Sequence, residues 1–249
     1  MGIGEACART FARRGARLIL TARSGAVLDQ VRRSLEPAEA RVIEADLSRP
    51  EQVGELADRA LACWGRVDVL VNNAAVGVYV PCWDLPPDVA RKMMEVNFFA
   101  PLELVRRLTP AMRRQGGGTI VNVSSIGGQV ALPWLTLYSA SKAALNFLSD
   151  GMRIELAGSG IRVVSVCPGY VQTGFRDHVL AGRMPAAVAK RRRFTITADQ
   201  CAEALVRGVE RGTRTVVTPR AGWAFVWFAR LFPRAADGIL GRMRGPGPE

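Results

Sequence analysis

Histidine and cysteine, which build most metal sites and disulfide frameworks, are scarce in this chain. The 249 residues include one histidine, His178, and five scattered cysteines that lack the close pairing of metal ligands. We therefore expect no metal site, and reduced thiols as in a cytoplasmic protein. No apolar run reaches the ~20 residues that span a bilayer, and we expect no signal peptide before the first predicted helix. Linkers and internal repeats are also lacking, which favours a single domain.

Lysine is nearly absent, whereas arginine is abundant. The chain has 34 basic and 22 acidic residues, a net charge of +12, and its only lysines are Lys92, Lys142 and Lys190. Most arginines stand singly on polar faces of predicted helices, and no nucleic-acid-binding module accompanies them. We therefore expect no nucleic-acid partner. We interpret the positive net charge as a general preference for arginine over lysine. Such a charge also attracts anionic substrates or membrane surfaces.

Short apolar runs alternate with helical periodicity along most of the chain. Strands are predicted at 16–22, 41–45, 67–71, 119–123, 161–167 and 215–218, and helices at 4–14, 25–35, 50–63, 87–114, 137–157 and 198–210. Alternation of this length predicts an α/β fold, a doubly wound parallel sheet covered by helices on both faces. Ligands of such sheets bind at the carboxyl ends of the strands, so residues at those ends are the candidates for a functional site.

The most informative pattern is formed by Tyr138, Lys142 and Ser125. Tyr138 and Lys142 are four residues apart in a predicted helix, so their side chains share one face. A free tyrosine titrates near ~10, and a nearby ammonium is expected to lower the pKa of Tyr138 by favouring the phenolate. Ser125 follows a predicted strand and would hold a substrate oxygen, whereas the side chain of Ser124 should point to the opposite face. Taken alone, Tyr-x-x-x-Lys also occurs in helices by chance.

Other motifs follow in a recognisable order. Gly2 and Gly4 precede the first predicted helix, and Asn72-Asn73-Ala74-Ala75 follows the third predicted strand; Asn97 lies in a predicted helix, and the segment 168–173 (PGYVQT) follows a strand. With Ser125, Tyr138 and Lys142, this order resembles the short-chain dehydrogenase/reductase family, with its TGxxxGxG turn, NNAG motif, Asn-Ser-Tyr-Lys tetrad and PGxxxT motif. The resemblance covers residues 1–220, the expected domain, and leaves 221–249 as an apolar and basic C-terminal extension.

This resemblance implies a Rossmann-like oxidoreductase that transfers a hydride between NADP(H), or NAD as the alternative, and a ketone or secondary alcohol. Tyr138 would be the acid or base, Lys142 would lower its pKa and bind the nicotinamide ribose, and Ser125 would position the substrate oxygen. Asn97 would hold a water that links Lys142 to solvent, although a structural asparagine is the alternative. A fairly apolar substrate and a homodimer or homotetramer are expected. The competing hypothesis is a truncated or catalytically silent cofactor-binding or scaffold protein of the same fold.

The resemblance also implies a set of cofactor-binding residues. Arg23, after the first predicted strand, suits the 2′-phosphate of NADP, whereas an acid there would suit NAD; an ordinary surface arginine is the alternative. Asp46 would contact the adenine edge, and the alternative role of helix N-cap is more naturally filled by Ser48. Thr173 would bond the nicotinamide carboxamide. The full set is Gly2, Ile3, Gly4, Arg23, Asp46, Leu47, Asn73, Ala74, Tyr138, Lys142, Pro168, Gly169, Val171 and Thr173.

Three stretches carry further expectations. Gly2 and Gly4 match only the later glycines of the family's first turn, so we expect the first strand to be lacking, as in a truncated chain or one whose start is wrongly assigned. That strand would lie between those predicted at 16–22 and 67–71, whose backbone would be left unpaired. Residues 174–197 are expected to form a substrate lid. The apolar run 223–232 predicts either an oligomer or pocket helix or one lying on anionic lipid, which leaves membrane association open.

Overall fold

The computed structural model describes residues 2–175, 179–183 and 195–242. The strands are β1 Leu18–Ala22, β2 Ala40–Glu44, β3 Val69–Asn72, β4 Gly77–Tyr79, β5 Gly118–Val123, β6 Ile161–Pro168, β7 Val171–Gln172, β8 Val179–Gly182, β9 Ile196–Thr197 and β10 Thr215–Thr218. The helices are α1 Ile3–Arg13, α2 Gly25–Ser34, α3 Pro50–Trp64, α4 Pro87–Met94, α5 Ala100–Arg114, α6 Thr136–Glu155, α7 Ala198–Arg211, α8 Gly222–Leu231 and α9 Pro233–Gly241. Every predicted strand and helix is present, with its ends within two residues of the prediction.

A parallel sheet with helices on both faces forms the core, as the alternation predicted. Strands β10, β6, β5 and β3 are neighbours in that order, and every pair is parallel. Helices α1 and α7 pack on one face of this sheet, where Cys7 and Leu205 meet Val164. Helices α5 and α6 pack on the other face, where Met112 and Met152 meet residues of β5 and β6. Continuous apolar strands such as β5 and β6 are typical of a sheet buried on both faces.

The sheet is divided between β1 and β3. Strands β1 and β2 form a separate parallel pair, and within the described residues β1 is not hydrogen-bonded to β3. The two parts nevertheless lie side by side, because Ile19 of β1 and Leu70 of β3 pack into the same apolar cluster. Thr21 is exposed although it lies inside β1, whereas residues 119–123 of β5 are all buried. The arrangement agrees with the expectation that no strand lies between β1 and β3.

The predicted helix 87–114 consists of three segments. Helices α4 and α5 are joined by a π-helical turn, Glu95–Phe99, which contains the buried Asn97. Such a turn carries one extra residue per helical repeat, so it rotates the residues that follow it relative to a regular helix. The turn thereby sets the direction in which the Asn97 side chain points.

Helices α8 and α9 form most of the described C-terminal extension. Their buried residues are Val226, Ala236 and Leu240, while Trp227 and Leu231 are exposed. Within the described ranges, no helix combines the length and apolarity needed to cross a membrane. The same ranges contain no cluster of three or more potential metal-ligating side chains, and all five cysteines are free. His178 and the basic run 190–193 lie outside the described residues.

Candidate active site

Ser125 lies just beyond the carboxyl end of β5 and begins a single 3₁₀ turn, Ile126–Gly128. Its Oγ accepts a hydrogen bond from Gly127 N at 3.0 Å and is also hydrogen-bonded to the Tyr138 side chain. Ser124, by contrast, is buried and donates from Oγ to Lys142 O at 3.0 Å. The prediction that these two serines present their hydroxyls in different directions is therefore confirmed.

Tyr138 and Lys142 lie in the first half of α6 and converge below Ser125. Lys142 is only 1% exposed, which is unusual for a lysine, and its Nζ donates to Val123 O at 2.9 Å. The same Nζ lies 6.0 Å from the centre of the Tyr138 ring. The helix thus brings the phenol and the ammonium to the end of β5, as their spacing predicted.

The ionisation of this pair differs from the expectation. Burial raises the pKa of Tyr138 to about 12, and its hydrogen bond with Ser125 only partly opposes that increase. Burial also lowers the pKa of Lys142 to about 8. The prediction that Lys142 lowers the pKa of Tyr138 is therefore wrong for this structure, because desolvation of the phenolate outweighs other effects. At neutral pH Tyr138 is protonated and is therefore able to donate a proton.

Asn97 fastens the loop after β3 to helix α6. Its Oδ1 accepts from Val76 N at 2.9 Å, and its Nδ2 donates to Val76 O at 2.9 Å and to Ser141 Oγ at 3.0 Å. Both amide hydrogens are therefore used by protein groups. The water-holding role implied for Asn97 stays a prediction, whereas its structural role is supported by the three hydrogen bonds to Val76 and Ser141.

A line of buried polar side chains crosses the sheet behind the site and was not predicted. Asn72 Nδ2 donates to Asn122 Oδ1 at 2.9 Å, and Asn122 Nδ2 donates to Ser149 Oγ at 2.8 Å. These bonds connect β3, β5 and α6, so they fix the spacing of the elements that carry Asn73, Ser125 and the tyrosine–lysine pair. The available signal was the single asparagine inside the apolar strand 119–123.

Aromatic side chains surround the open side of Tyr138. The Phe175 ring lies 5.7 Å from the Tyr138 ring, and a Cβ on Gly77 would come within 2.8 Å of Phe175 Cζ. Tyr79 and Trp134 are buried in the same neighbourhood, in a cluster that also contains Leu132, Leu135, Tyr170 and Val179. Strand β8 lies within the expected lid and pairs with β4, which was not predicted, because such short strands leave no periodic pattern.

Two charged residues meet at the carboxyl ends of β1 and β2. Arg23 is exposed directly after β1, and its charge acts on Asp46, which follows β2. Partial burial alone would raise the pKa of Asp46, but hydrogen bonds from Ser48 and the charges of Arg23 and Lys92 lower it overall. Ser48 N and Oγ both donate to Asp46 Oδ1, at 2.9 and 2.8 Å. The prediction that Ser48 caps the next helix is wrong, because Arg49 occupies the N-cap of α3.

The amino end of α1 lies against the end of β3. A Cβ on Gly4 would come within 2.7 Å of Asn73 Nδ2, so a larger residue at this position would displace the Asn73 side chain. Gly2, the N-cap, has open space around it, and no side chain caps the helix among the described residues. Ile3 begins the helix, and Ala74 follows Asn73 in the loop before β4.

The segment that follows β6 lies between the end of β10 and the Phe175 ring beside Tyr138. Gly169 N donates to Thr218 O at 2.8 Å, and Val171 belongs to β7, which pairs with β9. Thr173 Oγ1 accepts from Phe175 N at 3.4 Å, so this threonine stands next to the aromatic ring that contacts Tyr138. Pro168 is the last residue of β6.

A model of the short-chain dehydrogenase family matches residues 1–183 of the chain. This range includes Arg23, Asp46, Asn97, Ser125 and the tyrosine–lysine pair. The chain belongs to the short-chain dehydrogenase/reductase family. Membership of this family explains both its fold and the order of its motifs.

Several known members of the short-chain dehydrogenase/reductase family are similar to this chain. Dehydrogenase/reductase SDR family member 7B of Bos taurus is 35% identical over 212 residues, which cover 76% of this chain and 65% of that protein. The structure of a family member from Burkholderia phymatum in complex with NAD has a TM-score of 0.85 at 26% identity and covers 94% of this chain and 91% of its own. A short-chain dehydrogenase from Sphingobium yanoikuyae in complex with NADPH has a TM-score of 0.80 at 27% identity, with the same coverage of 94% and 91%. The chain spans 55% to 65% of the length of four of the curated relatives that it matches.

Proposed function

We propose that this chain is an oxidoreductase that uses NADP(H) to interconvert a ketone and a secondary alcohol, with Tyr138 as the acid or base. The observation that carries the proposal is the contact between the side chains of Ser125 and Tyr138, with Lys142 Nζ 6.0 Å from the Tyr138 ring. A protonated phenol bonded to a serine hydroxyl suits the transfer of a proton to a carbonyl oxygen.

The residues divide the proton chemistry between them. When bound, the reduced nicotinamide supplies the hydride that reaches the carbonyl carbon. The Ser125 hydroxyl holds the carbonyl oxygen, and Tyr138 gives that oxygen its proton, so the ketone gains one hydride and one proton. The ammonium of Lys142, whose Nζ lies 6.0 Å from the centre of the Tyr138 ring, would hold the nicotinamide ribose. For alcohol oxidation the same atoms move in reverse.

The choice of NADP rests on Arg23. This exposed guanidinium follows β1 and stands beside Asp46, where a ribose 2′-phosphate would meet a positive charge. Gly2 fits the cofactor class, because the space beside this N-cap is open and helix N-termini favour phosphate groups. The Burkholderia phymatum and Sphingobium yanoikuyae proteins bind NAD and NADPH respectively, which supports a nicotinamide cofactor without choosing between the two.

Replacement of Tyr138 and Ser125 tests the catalytic assignment. Tyr138→Phe and Ser125→Ala should each lower the rate of NADPH-dependent reduction of a ketone panel by at least about 100-fold, which is the usual range for a lost acid-base group. NADPH binding, followed by its fluorescence, should be retained. Ser124→Ala is the matched control, because it removes a neighbouring hydroxyl that faces the Lys142 backbone. A parental rate in Tyr138→Phe would reject the proposal, and NADPH binding without turnover by the parent protein would favour the catalytically silent alternative.

For the expected homo-oligomer, we propose that a second copy covers one face of α6. Phe147 and Ile154 are 80% and 79% exposed and lie seven residues apart, with Gly151 between them on the same face. Large apolar side chains exposed together usually mark an interface. Phe147→Glu combined with Ile154→Glu should therefore reduce the molar mass measured by light scattering. Trp83→Glu, at a residue that is 78% exposed elsewhere, is the matched control.

Lipid binding by the C-terminal extension stays a prediction. Helix α8 and the residue after it expose Trp227, Leu231 and Phe232. If this surface contacts anionic lipid, Leu231→Glu with Phe232→Glu should abolish co-sedimentation with phosphatidylserine vesicles, and salt should weaken the parental binding. Equal sedimentation of parent and variant would exclude this surface.

A further inference from the structure

Helix α8 holds the turn that follows Ser125 at two points. A Cβ on Gly222 would lie 3.1 Å from Ile126 Cδ1, so the beginning of α8 is in close contact with the turn. Near the other end of the helix, an Arg230 Nη donates to Gln129 Oε1 at 2.6 Å. Helix α8 lies outside residues 1–183, which the family model matches.

The turn between these two points determines the position of the Ser125 hydroxyl. Gly128 N donates to Ser125 O and Gln129 N donates to Ile126 O, both at 2.9 Å, and Gly127 N donates to Ser125 Oγ. On the inner side, a Cβ on Gly128 would lie 2.7 Å from the Lys142 carbonyl carbon. The turn therefore lies between α6 and α8, and a shift of the turn would move Ser125 relative to Tyr138.

Gln129 connects the exposed arginine to the buried interior. Its Nε2 lies 3.6 Å from the sulfur of Cys167, a fully buried residue at the end of β6. The Cys167 thiol in turn contacts Asn146 Oδ1 at 3.7 Å, and Asn146 Nδ2 donates to Gly128 O at 3.0 Å. Release of Gln129 would therefore loosen the turn and uncover the Cys167 thiol.

We propose that Arg230 and Gln129 are positioning residues, through which α8 fixes the Ser125–Gln129 turn and so orients the Ser125 hydroxyl toward Tyr138. The inference rests on the proposed function for its effect on turnover, but not for the contact itself. A guanidinium suits this task because its charged N–H groups make stronger hydrogen bonds than neutral donors. The amide of Gln129 is suited as well, because it accepts from Arg230 on one side and donates to Cys167 on the other.

Two measurements on the full chain test the proposal. Arg230→Ala and Gln129→Ala should lower kcat for reduction of an apolar ketone by about five- to tenfold, the size expected for loss of one hydrogen bond. The KM for NADPH and the melting temperature should stay near the parental values. In the same variants, iodoacetamide should label Cys167 at least about fivefold faster, as read by peptide mass spectrometry with Cys63 as the internal reference. Arg230→Lys, which keeps a charged donor, should restore most of both properties, and Arg234→Ala, at an exposed arginine of α9, should change neither.

The proposal requires both changes together. Parental labelling of Cys167 in Arg230→Ala would show that α8 does not act through Gln129, and a parental kcat would show that the turn does not depend on α8. A melting temperature that falls in step with kcat, with no recovery in Arg230→Lys, would also overturn it in favour of a purely structural role. Failure of the proposed function is recognised separately, because Tyr138→Phe would then retain the parental rate whatever the labelling of Cys167 shows.

Discussion

The side chain of Asn97 pairs with the backbone of Val76 as a neighbouring strand would. Val76 N donates to Asn97 Oδ1 and Asn97 Nδ2 donates to Val76 O, each at 2.9 Å. The second amide hydrogen reaches Ser141 Oγ, which itself donates to Tyr138 O at 2.7 Å. One buried amide thus joins the loop before β4, the π-helical turn and the helix that carries Tyr138.

Replacement of Asn97 by alanine should destabilise the fold. The change leaves the Val76 N–H and C=O without their partner. A fully buried group in that state costs ~1–3 kcal/mol, and this contact is partly buried, so we expect a loss of about 2–4 kcal/mol in the free energy of unfolding. Urea denaturation measures this loss, with Lys92→Ala at an exposed residue of α4 as the control. An unchanged free energy of unfolding in Asn97→Ala, together with a lost turnover, would favour the water-holding role over the structural one.

The space beside Tyr138 depends on the absence of a side chain at residue 77. A methyl group in Gly77→Ala would lie 2.8 Å from Phe175 Cζ and 3.9 Å from Tyr138 Cδ2, so the Phe175 ring must move. Because a ring at the end of a side chain can move without breaking the fold, we expect kcat/KM for an apolar ketone to fall about tenfold, or ~1.4 kcal/mol, with a smaller effect on stability. Gly238→Ala in α9, where no atom lies within 4 Å, is the control. Equal kcat/KM in both variants would remove Phe175 from the substrate site.

Strand ends and motif positions followed from the sequence, whereas the ionisation of the site did not. Ser125, Tyr138 and Lys142 could be placed together, because helical spacing and strand order determine where their backbone lies. The pKa of Tyr138 depends instead on how completely its ring is buried, and this burial comes from Phe175 and the short strands β4 and β8. Those residues are distant in the chain and show no periodic pattern, so the desolvation of Tyr138 could not be predicted from the sequence.

The charge on Arg23 should determine the preference between the two nicotinamide cofactors. Arg23→Asp replaces a partner for the 2′-phosphate by a repelling carboxylate and an acceptor for the 2′-hydroxyl. We expect the ratio of the Kd values for NADPH and NADH to shift by at least about 100-fold toward NADH, which is ~2.7 kcal/mol. Fluorescence titration with both cofactors measures this ratio, and Arg17→Asp, at the exposed residue before β1, controls for the change in net charge. If both variants give the parental ratio, Arg23 does not contact the cofactor.

Burial of Lys142 should make stability rise with pH above pH 8. The pKa is about 8 in the folded chain against an ordinary value of 10.5, so the unfolded chain binds more protons between these pH values. The free-energy cost of burying the Lys142 ammonium therefore acts in full below pH 8, and it has disappeared above about pH 10.5, where the lysine is neutral in both states. Relative to Lys142→Met, the parent should gain up to about 3 kcal/mol in the free energy of unfolding across this range. Urea denaturation at pH 7, 8, 9 and 10 measures the difference between the two proteins.

The comparison with Lys142→Met is needed because other buried groups act in the opposite direction. Burial raises the pKa values of Cys7 and Cys201 to about 12, so their contributions make both proteins less stable above pH 9. These contributions cancel in the difference between parent and variant. A difference that stays constant from pH 7 to pH 10 would show that Lys142 keeps its ordinary pKa in the folded chain.

The division of the sheet between β1 and β3 has a direct consequence for amide exchange. Leu18 N donates to Glu39 O and Ala45 N donates to Ala22 O, so even-numbered residues of β1 face β2. Successive residues of a parallel strand direct their backbone groups to opposite sides, and the amides of Ile19 and Thr21 therefore face β3. Thr119 N of β5 donates to the carbonyl oxygen of Asp68, the residue just before β3, so by the same alternation the amide of Val71 faces β1.

These inward-facing amides should exchange with deuterium much faster than their neighbours. Ile19, Thr21 and Val71 have no strand partner among the described residues on that side, whereas Leu20 lies within the ladder between β1 and β2. An amide in a stable ladder exchanges only through opening of the structure, so we expect at least about 100-fold greater protection for Leu20 than for Ile19 and Thr21. Exchange followed by NMR resolves the individual residues. Equal protection of Ile19 and Leu20 would mean that the edges of β1 and β3 are paired in solution, either with each other or with a further strand. The sheet would then be continuous in solution.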